Sequence, residues 1–189
     1  MSTVLNAVAV VGSTSTVSRT LSLAREILAE LTLHLPLNVH VVELGAIAHE
    51  LGGTLARSEL PAAAEAQLRR IESADLVLAA VPVFRGSYPG LFKHLFDLVE
   101  VEALVDTPVL LAATGGSERH ALVLDHQLRP LFSFLQALTL PIGVYATPAD
   151  FDGNGQVAGS QLRERIALAA ERAAGVLGGA RPARLRRIA

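Results

Sequence analysis

Five apolar runs of strand length alternate with segments in which apolar residues recur at helical spacing, and no other feature restricts the fold as strongly. The runs are apolar almost throughout, as is typical of parallel strands that helices cover on both faces. They occupy residues 4–11, 39–44, 75–81, 107–113 and 141–146. Helical segments follow at residues 17–31, 61–72, 89–99, 119–135 and 160–177. The buried face of the first predicted helix carries Val17, Leu21, Ala24, Leu28 and Leu31. This alternation predicts an α/β fold, a doubly wound parallel sheet of five strands.

The length of the chain bounds its organisation. Its 189 residues predict a single domain, residues 1–189, and the arginine-rich residues 180–189 are predicted to form a flexible basic tail. Hydrophobic residues make up 51% of the chain, which is enough for a sizeable core. Charged residues make up 18%, below the roughly 25% that is typical of soluble domains. This low share favours the burial of some surface against copies of the same chain.

Composition also excludes several functions. The net charge of −2 argues against nucleic acid as the main partner. Because there is no cysteine, disulfides, thiolate metal sites and cysteine nucleophiles are excluded. No apolar run approaches about 18 residues, and no basic leader precedes the first run, so we expect neither a membrane span nor a signal peptide. These features predict a soluble, cytoplasmic protein.

The loop after the first predicted strand is rich in hydroxyl groups and ends at a helix start. Residues 12–20 contain six serines and threonines together with Arg19. Free N–H groups and the helix dipole favour an anion there, and hydroxyls with an arginine suit a phosphomonoester. The patterns G-x-G-x-x-G and G-x-x-x-x-G-K-[ST] are both missing, which argues against a dinucleotide pyrophosphate and a nucleoside triphosphate. Simple helix capping by one or two hydroxyls is the alternative.

The loop after the third predicted strand, residues 82–90, offers surface for a flat ligand. Phe84 and Tyr88 supply ring surface, and Gly86 allows close approach of the backbone. Pro89 suits the first turn of the helix that follows, because its missing N–H costs little there. An ordinary strand-to-helix connection is the alternative for this loop taken alone.

The loop after the fourth predicted strand, residues 114–117, contains two adjacent glycines. Gly115 and Gly116 are predicted to bring backbone N–H groups toward a ligand edge. In an open parallel sheet, the loops after strands one, three and four meet where the strand order reverses. One loop suited to phosphate and two suited to a flat ring describe a site for flavin mononucleotide (FMN). They predict a flavodoxin-like fold with strand order 2-1-3-4-5.

Two other chemistries are disfavoured. Ser117, His120 and Asp125 lie close together in the sequence, but no G-x-S-x-G pattern surrounds the serine, which argues against a hydrolase triad. The six histidines lack a pattern such as H-E-x-x-H, so no metal site is predicted.

With these motifs the chain resembles the NAD(P)H-dependent FMN reductases, in particular the reductases of alkanesulfonate and methanesulfonate monooxygenase systems. The resemblance covers about residues 4–177. Residues 82–93 are similar to the flavin-edge loop of that family, and residues 12–20 to its phosphate loop. Residues 113–117, with His120, Asp125 and Pro130, are similar to its second flavin loop and the following helix.

The resemblance implies a flavodoxin-like homodimer or homotetramer that reduces FMN with NADH or NADPH and passes the reduced flavin to a partner monooxygenase. Carried over by position, the phosphate would be held by Ser13, Ser18, Arg19 and Thr20. The isoalloxazine would be lined by Pro82, Val83, Phe84, Arg85, Gly86, Ser87, Thr114, Gly115, Gly116 and Ser117. No side chain is required as a catalytic acid or base, because the cofactor carries the hydride transfer.

A proline inside the fourth helical pattern predicts a local irregularity. Pro130 has no N–H for the carbonyl of His126, and its ring clashes with that carbonyl in a regular helix. A one-residue π-bulge at Asp125–His126 would relieve the clash. Alkanesulfonate-type reductases carry a tyrosine at the position of His126, whereas the methanesulfonate-type branch is similar to this chain at that position. The resemblance therefore implies His126 as a gate for flavin exchange, and a simple proline kink with a surface His126 is the alternative.

Two helical segments carry more apolar residues than one buried face needs. They span residues 89–99 and 119–135, and together they predict a symmetric subunit interface beside the flavin edge. The alternative is that the monomer itself covers both faces.

Two other functions share many of these features. One is an FMN-bound reductase of quinones, azo dyes or metal oxyanions, which would share every motif. The other is a non-enzymatic flavodoxin-type electron carrier, although such carriers are usually strongly acidic and the net charge here is only −2.

Overall fold

The computed structural model describes residues 4–178, and the predicted basic tail at residues 180–189 lies outside them. Within that range, six strands form one parallel sheet in the order β2-β1-β3-β4-β5, with β6 also paired to β4. The strands are β1 (Leu5–Val11), β2 (Leu37–Glu43), β3 (Leu76–Pro82), β4 (Pro108–Thr114), β5 (Leu138–Thr139) and β6 (Val144–Ala146). The predicted flavodoxin-like order 2-1-3-4-5 is confirmed.

The last predicted strand, residues 141–146, is shorter in the structure, where β6 covers only its second half. β5 is a separate short strand that ends before the predicted range, and both β5 and β6 pair with β4. Pro141 lies between them and has no N–H to donate to a ladder. A Cβ added at Gly143 would lie 2.9 Å from Leu124 Cδ1, so the backbone passes close to the helical layer there. Both features lie in residues 141–143, the half of the predicted strand that is not a strand in the structure.

The helices of the described range cover the sheet on both faces. They are α1 (Arg19–His34), α2 (Ala48–Gly52), α3 (Ala62–Glu72), α4 (Gly90–Asp97), α5 (Arg129–Phe134) and α6 (Ser160–Gly178). α1 and α6 pack on one face, in a core cluster that includes Leu23, Ile27 and Ile166. The other helices pack on the opposite face with Leu68 and Phe92. None of these helices is long and apolar enough to cross a membrane.

Two local predictions differ from the structure. α1 begins at Arg19, with Ser18 as its N-cap, so Val17 precedes the helix and is 87% exposed instead of lying on the buried face. The short helix α2 lies in a segment whose pattern was too loose to predict one. Tertiary contacts hold it, since Leu51 is fully buried and His94 Nε2 lies 3.0 Å from the Leu51 carbonyl oxygen.

The segment predicted as one helix at residues 119–135 is three pieces. A 3₁₀ turn (Glu118–His120) precedes a π-helix (Leu124–Leu128), which leads directly into α5. The Arg129 N–H donates to the carbonyl of Leu124, five residues earlier. The predicted π-bulge is therefore confirmed, because the wider turn accommodates Pro130, and His126 in it is exposed.

Most of the apolar residues on α4 are buried within the chain itself. Phe92, Leu95 and Phe96 are at most 3% exposed, and the Phe96 ring packs edge-on against Phe132 with centroids 4.9 Å apart. These apolar residues on α4 are therefore explained by core packing and do not by themselves indicate a subunit interface. Phe134 on α5 does remain exposed, at 78%.

Candidate functional site

A cavity of about 770 Å³ opens at the carboxyl ends of the strands. Four loops line it, those that follow β1, β3, β4 and β6. This position is where open parallel sheets bind ligands, at the point where the strand order reverses between β1 and β3. The volume lies within the usual range of sites for small molecules and cofactors.

The cavity brings together most of the predicted flavin residues. Those that line it are Ser13, Ser18, Arg19, Thr20, Pro82, Val83, Phe84, Thr114, Gly115 and Gly116. We call Ser13, Ser18, Arg19 and Thr20 the phosphate end and the other six residues the ring end. The remaining predicted residues, Arg85, Gly86, Ser87 and Ser117, are not part of this lining. Ser117 instead lines a shallower neighbouring pocket, which shares Gly116 with the cavity.

Two hydroxyls of the phosphate end also shape the loop. Ser13 Oγ accepts a hydrogen bond from the Ser15 N–H at 3.2 Å, and Ser18 Oγ accepts one from the Leu21 N–H at 3.2 Å. Ser18 thus performs the helix capping that was the alternative to phosphate binding. Because both hydroxyls act as acceptors in these bonds, each keeps its O–H as a donor for an anion. Capping and phosphate binding are therefore compatible here.

Arg19 is the first residue of α1 and is exposed at the edge of the cavity. Within residues 4–178 its guanidinium has no ion-pair or hydrogen-bond partner. A cation placed beside the free N–H groups of a helix start adds to the attraction that the helix dipole exerts on an anion. This end of the cavity is suited to a phosphate.

Thr20 lines the phosphate end of the cavity and also contacts the ring end. Its side chain is 2% exposed, and its hydroxyl lies 2.7 Å from the hydroxyl of Thr114. This hydrogen bond joins the phosphate end to the ring end. A single O–H of the pair remains available to a ligand, because the other O–H donates within the pair.

The loop after β3 forms a tight hairpin. Phe84 and Ser87 exchange two backbone hydrogen bonds, of 2.7 and 3.1 Å, around Arg85 and Gly86. Both central residues have positive φ, 53° for Arg85 and 86° for Gly86, as in the two-residue turns of twisted hairpins. The hairpin leaves Phe84 on the cavity wall, where its side chain is 48% exposed and offers a ring face. Arg85 and Gly86 occupy the tip.

The hairpin is also tied to the π-helix. Ser87 Oγ donates a hydrogen bond to Gln127 Oε1, at 3.1 Å. Gln127 directly follows His126 in the π-helix. A movement of the π-helix would therefore move the Gln127 side chain, and with it the hydrogen bond to the hairpin.

The backbone N–H of Gly115 was predicted to point toward the ligand, but in the structure it does not. Its N–H donates to the Ala146 carbonyl at 3.0 Å and is not available to a flavin. A glycine is required here for another reason, because an added Cβ would lie 2.0 Å from Tyr145 Oη. Tyr145 Oη donates to the Ser117 carbonyl at 2.6 Å, and burial raises the pKa of this phenol. The Gly116 N–H, by contrast, has no hydrogen bond within residues 4–178.

The fourth wall of the cavity was not among the loops predicted from the sequence. It consists of Thr147, Pro148 and the turn at residues 151–156, and α1 adds Ser22 and Arg25. The turn residues follow the last strand, so the rule that placed the other three loops at one sheet edge would have placed them there too. No sequence signal marks Arg25, since only the packed position of α1 brings it to the cavity.

The residues present fit FMN. One end provides hydroxyls, an unpaired arginine and a helix start, which suit the phosphate. The other end provides the Phe84 ring and the free Gly116 N–H, which suit the face and the polar edge of a flavin ring.

Comparison with known proteins agrees with this geometry. The family model of NADPH-dependent FMN reductases matches residues 5–152. The chain is 64% identical to the NADH-dependent FMN reductase SfnF of Pseudomonas fluorescens over 94% of its own length and 95% of that protein. It is 62% identical to an NADPH-using FMN reductase of Pseudomonas aeruginosa, over 95% and 96% of the two chains.

A solved structure supports the same assignment. An oxidoreductase from Corynebacterium diphtheriae is 34% identical and superposes with a TM-score of 0.83, over 93% of this chain and 98% of that one. The chain therefore belongs to the NADPH-dependent FMN reductase family and is an NAD(P)H:FMN oxidoreductase.

Proposed function

We propose that this reductase supplies reduced FMN to a separate flavin-dependent monooxygenase of the sulfonate type, and that it does so in the cytoplasm, where NAD(P)H is regenerated. The observation that carries the proposal is the cavity at the sheet edge, in which the phosphate end and the ring end are joined by Thr20 and Thr114. The resemblance to reductases of sulfonate monooxygenase systems supports the choice of partner.

FMN, when bound, supplies the acceptor for a hydride from C4 of the nicotinamide, at flavin N5. The residues of the chain itself would bind the flavin and orient it. Arg19 and the start of α1 would hold the phosphate, and Phe84 would lie against the ring. The free Gly116 N–H would donate to the polar edge of the ring, where a fixed donor would favour negative charge on the reduced flavin.

We further propose that the protein is a homodimer or homotetramer. Two exposed apolar residues support this assembly. Leu122 precedes the π-helix and is 59% exposed, and Phe134 ends α5 and is 78% exposed. Burial of exposed apolar side chains of this size is typical of subunit interfaces. Light scattering at micromolar concentration tests the assembly, and a monomeric mass would overturn it.

His126 is proposed as the gate for flavin exchange. It lies in the π-helix next to Gln127, which contacts the hairpin at Ser87. Through this contact, movement of the π-helix would alter the ring end of the cavity.

Steady-state kinetics test the proposed function. Oxidation of NADH and of NADPH is measured with and without FMN over a range of FMN concentrations. A rate that depends on FMN and saturates supports flavin as a substrate that is released. A rate that is independent of added FMN but rises with quinones or azo dyes would support the alternative reductase instead.

The transfer step needs a second assay. An alkanesulfonate monooxygenase is supplied with its sulfonate, FMN and NADH, and the release of sulfite is followed. Sulfite should form only when the reductase is present, and its absence in a mixture that still oxidises NADH would contradict the proposed partner.

A further inference from the structure

Tyr145 contacts the loop after β4 from outside the cavity. It lies on β6, opposite Ala113 of β4, and its side chain packs against the same core cluster as Phe92. Its Oη donates to the Ser117 carbonyl at 2.6 Å, and it would lie 2.0 Å from a Cβ added at Gly115. The phenol therefore fills the space that a side chain at position 115 would need. Tyr145 itself is not part of the cavity lining.

The Gly116 N–H lies between two anchored backbone groups. One residue before it, the Gly115 N–H donates to the Ala146 carbonyl at 3.0 Å. One residue after it, the Ser117 carbonyl accepts the hydrogen bond from Tyr145. The position of Gly116 itself is open, because an added Cβ would meet no heavy atom of residues 4–178 within 4 Å apart from its chain neighbours. The direction of the Gly116 N–H is therefore set by the two anchors and not by packing on Gly116.

The phenol is the stronger of two donors to the Ser117 carbonyl. The other donor is the His120 N–H at 3.3 Å, a long distance for an N–H donor, whereas 2.6 Å is at the short end of the range for an O–H donor. Burial raises the pKa of Tyr145 above its ordinary value of 10.0, so its hydroxyl keeps the proton at neutral pH. Because Tyr145 does not line the cavity, it can act on a ligand there only through the loop.

We propose that Tyr145 is a positioning residue that raises the reduction potential of the bound flavin, because it holds the Gly116 N–H toward the ring end of the cavity. This rests on the proposed placement of the polar edge of the flavin ring at Gly116. Transfer of a hydride, two electrons with one proton, from NAD(P)H leaves NAD(P)⁺ and an anionic reduced flavin. A fixed donor at the polar edge stabilises that charge and so binds the reduced form more tightly than the oxidised form.

The test measures the dissociation constants of oxidised FMN and, without oxygen, of reduced FMN for wild type and Tyr145→Phe. This change keeps the ring beside Gly115 and removes only the hydroxyl. The constant for reduced FMN should rise about three- to tenfold, which is part of the effect of one charge-assisted hydrogen bond. The constant for oxidised FMN should change less than about twofold. The potential of the bound flavin, measured against a dye of known potential, should become more negative by about 15–30 mV, since tenfold corresponds to about 30 mV for two electrons.

Two further variants separate this role from a loss of stability. Thr54→Val is the matched control, because it also removes a hydroxyl that donates to a backbone carbonyl, that of Glu50 at 2.8 Å, and Thr54 is buried outside the cavity. It should leave the ratio of the two dissociation constants unchanged. Gly115→Ala displaces the same phenol without removing it. It should shift the potential in the same direction as Tyr145→Phe, and it provides the test if Tyr145→Phe does not fold.

The outcomes that contradict the proposal are distinguishable. Equal weakening of oxidised and reduced FMN in Tyr145→Phe would make Tyr145 a structural residue only. Gly116→Pro, which removes the N–H itself, tests the proposed placement of the flavin. If Gly116→Pro changes the ratio of the two constants and neither Tyr145→Phe nor Gly115→Ala does, only the role of Tyr145 is refuted. If Gly116→Pro also leaves the ratio unchanged, the placement of the flavin edge at Gly116 fails together with this inference.

Discussion

The hydroxyl groups of Thr20 and Thr114 lie 2.7 Å apart, although the two residues are 94 positions apart in the sequence, and they join the phosphate end of the cavity to its ring end. Thr20 is at the start of α1 and Thr114 is the last residue of β4. Because the Thr20 side chain is 2% exposed, water cannot readily replace a lost partner. The pair therefore fixes the distance between the phosphate end and the ring end.

We expect Thr114→Val to destabilise the protein, because it keeps the side-chain shape and leaves the Thr20 hydroxyl without its partner. The free energy of unfolding in urea should fall by about 1–3 kcal/mol. The double variant Thr20→Val, Thr114→Val removes both polar groups, so it should cost less than the sum of the two single changes. Strictly additive losses would show that the two hydroxyls are not coupled.

Arg19→Ala should reduce the affinity for FMN and leave that for riboflavin nearly unchanged, because riboflavin lacks the phosphate. A charge-assisted contact of about 1.5–3 kcal/mol corresponds to roughly a ten- to hundredfold change in the dissociation constant. Titration of both flavins into the variant measures this. Equal losses for the two flavins would contradict the assignment of Arg19 to the phosphate.

Gly115→Ala should disturb the site, although the backbone of Gly115 does not have a positive φ. The new Cβ would lie 2.0 Å from Tyr145 Oη, so the phenol must move and lose its hydrogen bond to the Ser117 carbonyl. We expect a lower melting temperature of the flavin-free protein. Gly116→Ala is the control, since its Cβ would meet no heavy atom within 4 Å. Similar melting temperatures for the two variants would refute the steric explanation.

Arg57 joins the segment after β2 to α3 and to the end of α4. Its guanidinium contacts the carboxylates of Glu65 at 3.0 Å, Glu72, and Glu100 at 3.4 Å, and it donates to the Leu98 carbonyl at 3.3 Å. Arg57→Ala should lower the free energy of unfolding by about 1.5–3 kcal/mol, since partly buried carboxylates lose their charged donor. Arg69→Ala removes only the exposed partner of Glu65 and should cost less than about 1 kcal/mol.

The effect of Arg57→Ala should depend on pH. The hydrogen bond from Arg57 holds the pKa of Glu65 below its ordinary value of 4.5. A lowered pKa in the folded state stabilises the protein above the ordinary value, and this stability is lost as the pH falls through the folded-state pKa. The difference between wild type and variant should thus be full at neutral pH and shrink well below pH 4.5. Urea unfolding across this range measures it, and a difference independent of pH would contradict the prediction.

Deletion of His126 should convert the π-helix into a regular helix while the fold is kept, because it removes one residue from the wide turn. The position of Gln127 relative to Ser87 would change, and with it the affinity for FMN. His126→Ala keeps the wide turn and removes only the imidazole. Comparison of the two variants therefore distinguishes the effect of the backbone geometry from the effect of the side chain. An unfolded deletion variant, or one with unchanged flavin affinity and turnover, would count against the gate.

The sequence predicted the sheet order and three of the four cavity loops because both depend on local patterns. Buried parallel strands are apolar throughout, and their carboxyl ends meet at one edge. Pro130 predicted the π-helix for a similar reason, since a missing N–H and a ring clash are local facts. The late start of the last strand could not be predicted in this way, because Gly143 is close to Leu124 only in the folded chain.

Other features could not be predicted because they depend on packing across the fold. Arg25 reaches the cavity only through the placement of α1 against the turn at residues 151–156. Two adjacent glycines look alike in the sequence. In the structure the Gly115 N–H donates to the Ala146 carbonyl, whereas the Gly116 N–H has no hydrogen bond within residues 4–178. The apolar surplus on α4 was visible in the sequence, but the chain itself covers it.

The shortness of β5 and β6 has a consequence for the sheet edge that they form. β5 and β6 have two and three residues, and together they form the sheet edge beside β4. A foreign strand that adds to a sheet needs an uninterrupted row of backbone donors and acceptors, which pieces this short do not offer. This edge of the sheet therefore resists the addition of a strand from another chain and the aggregation that such pairing can start.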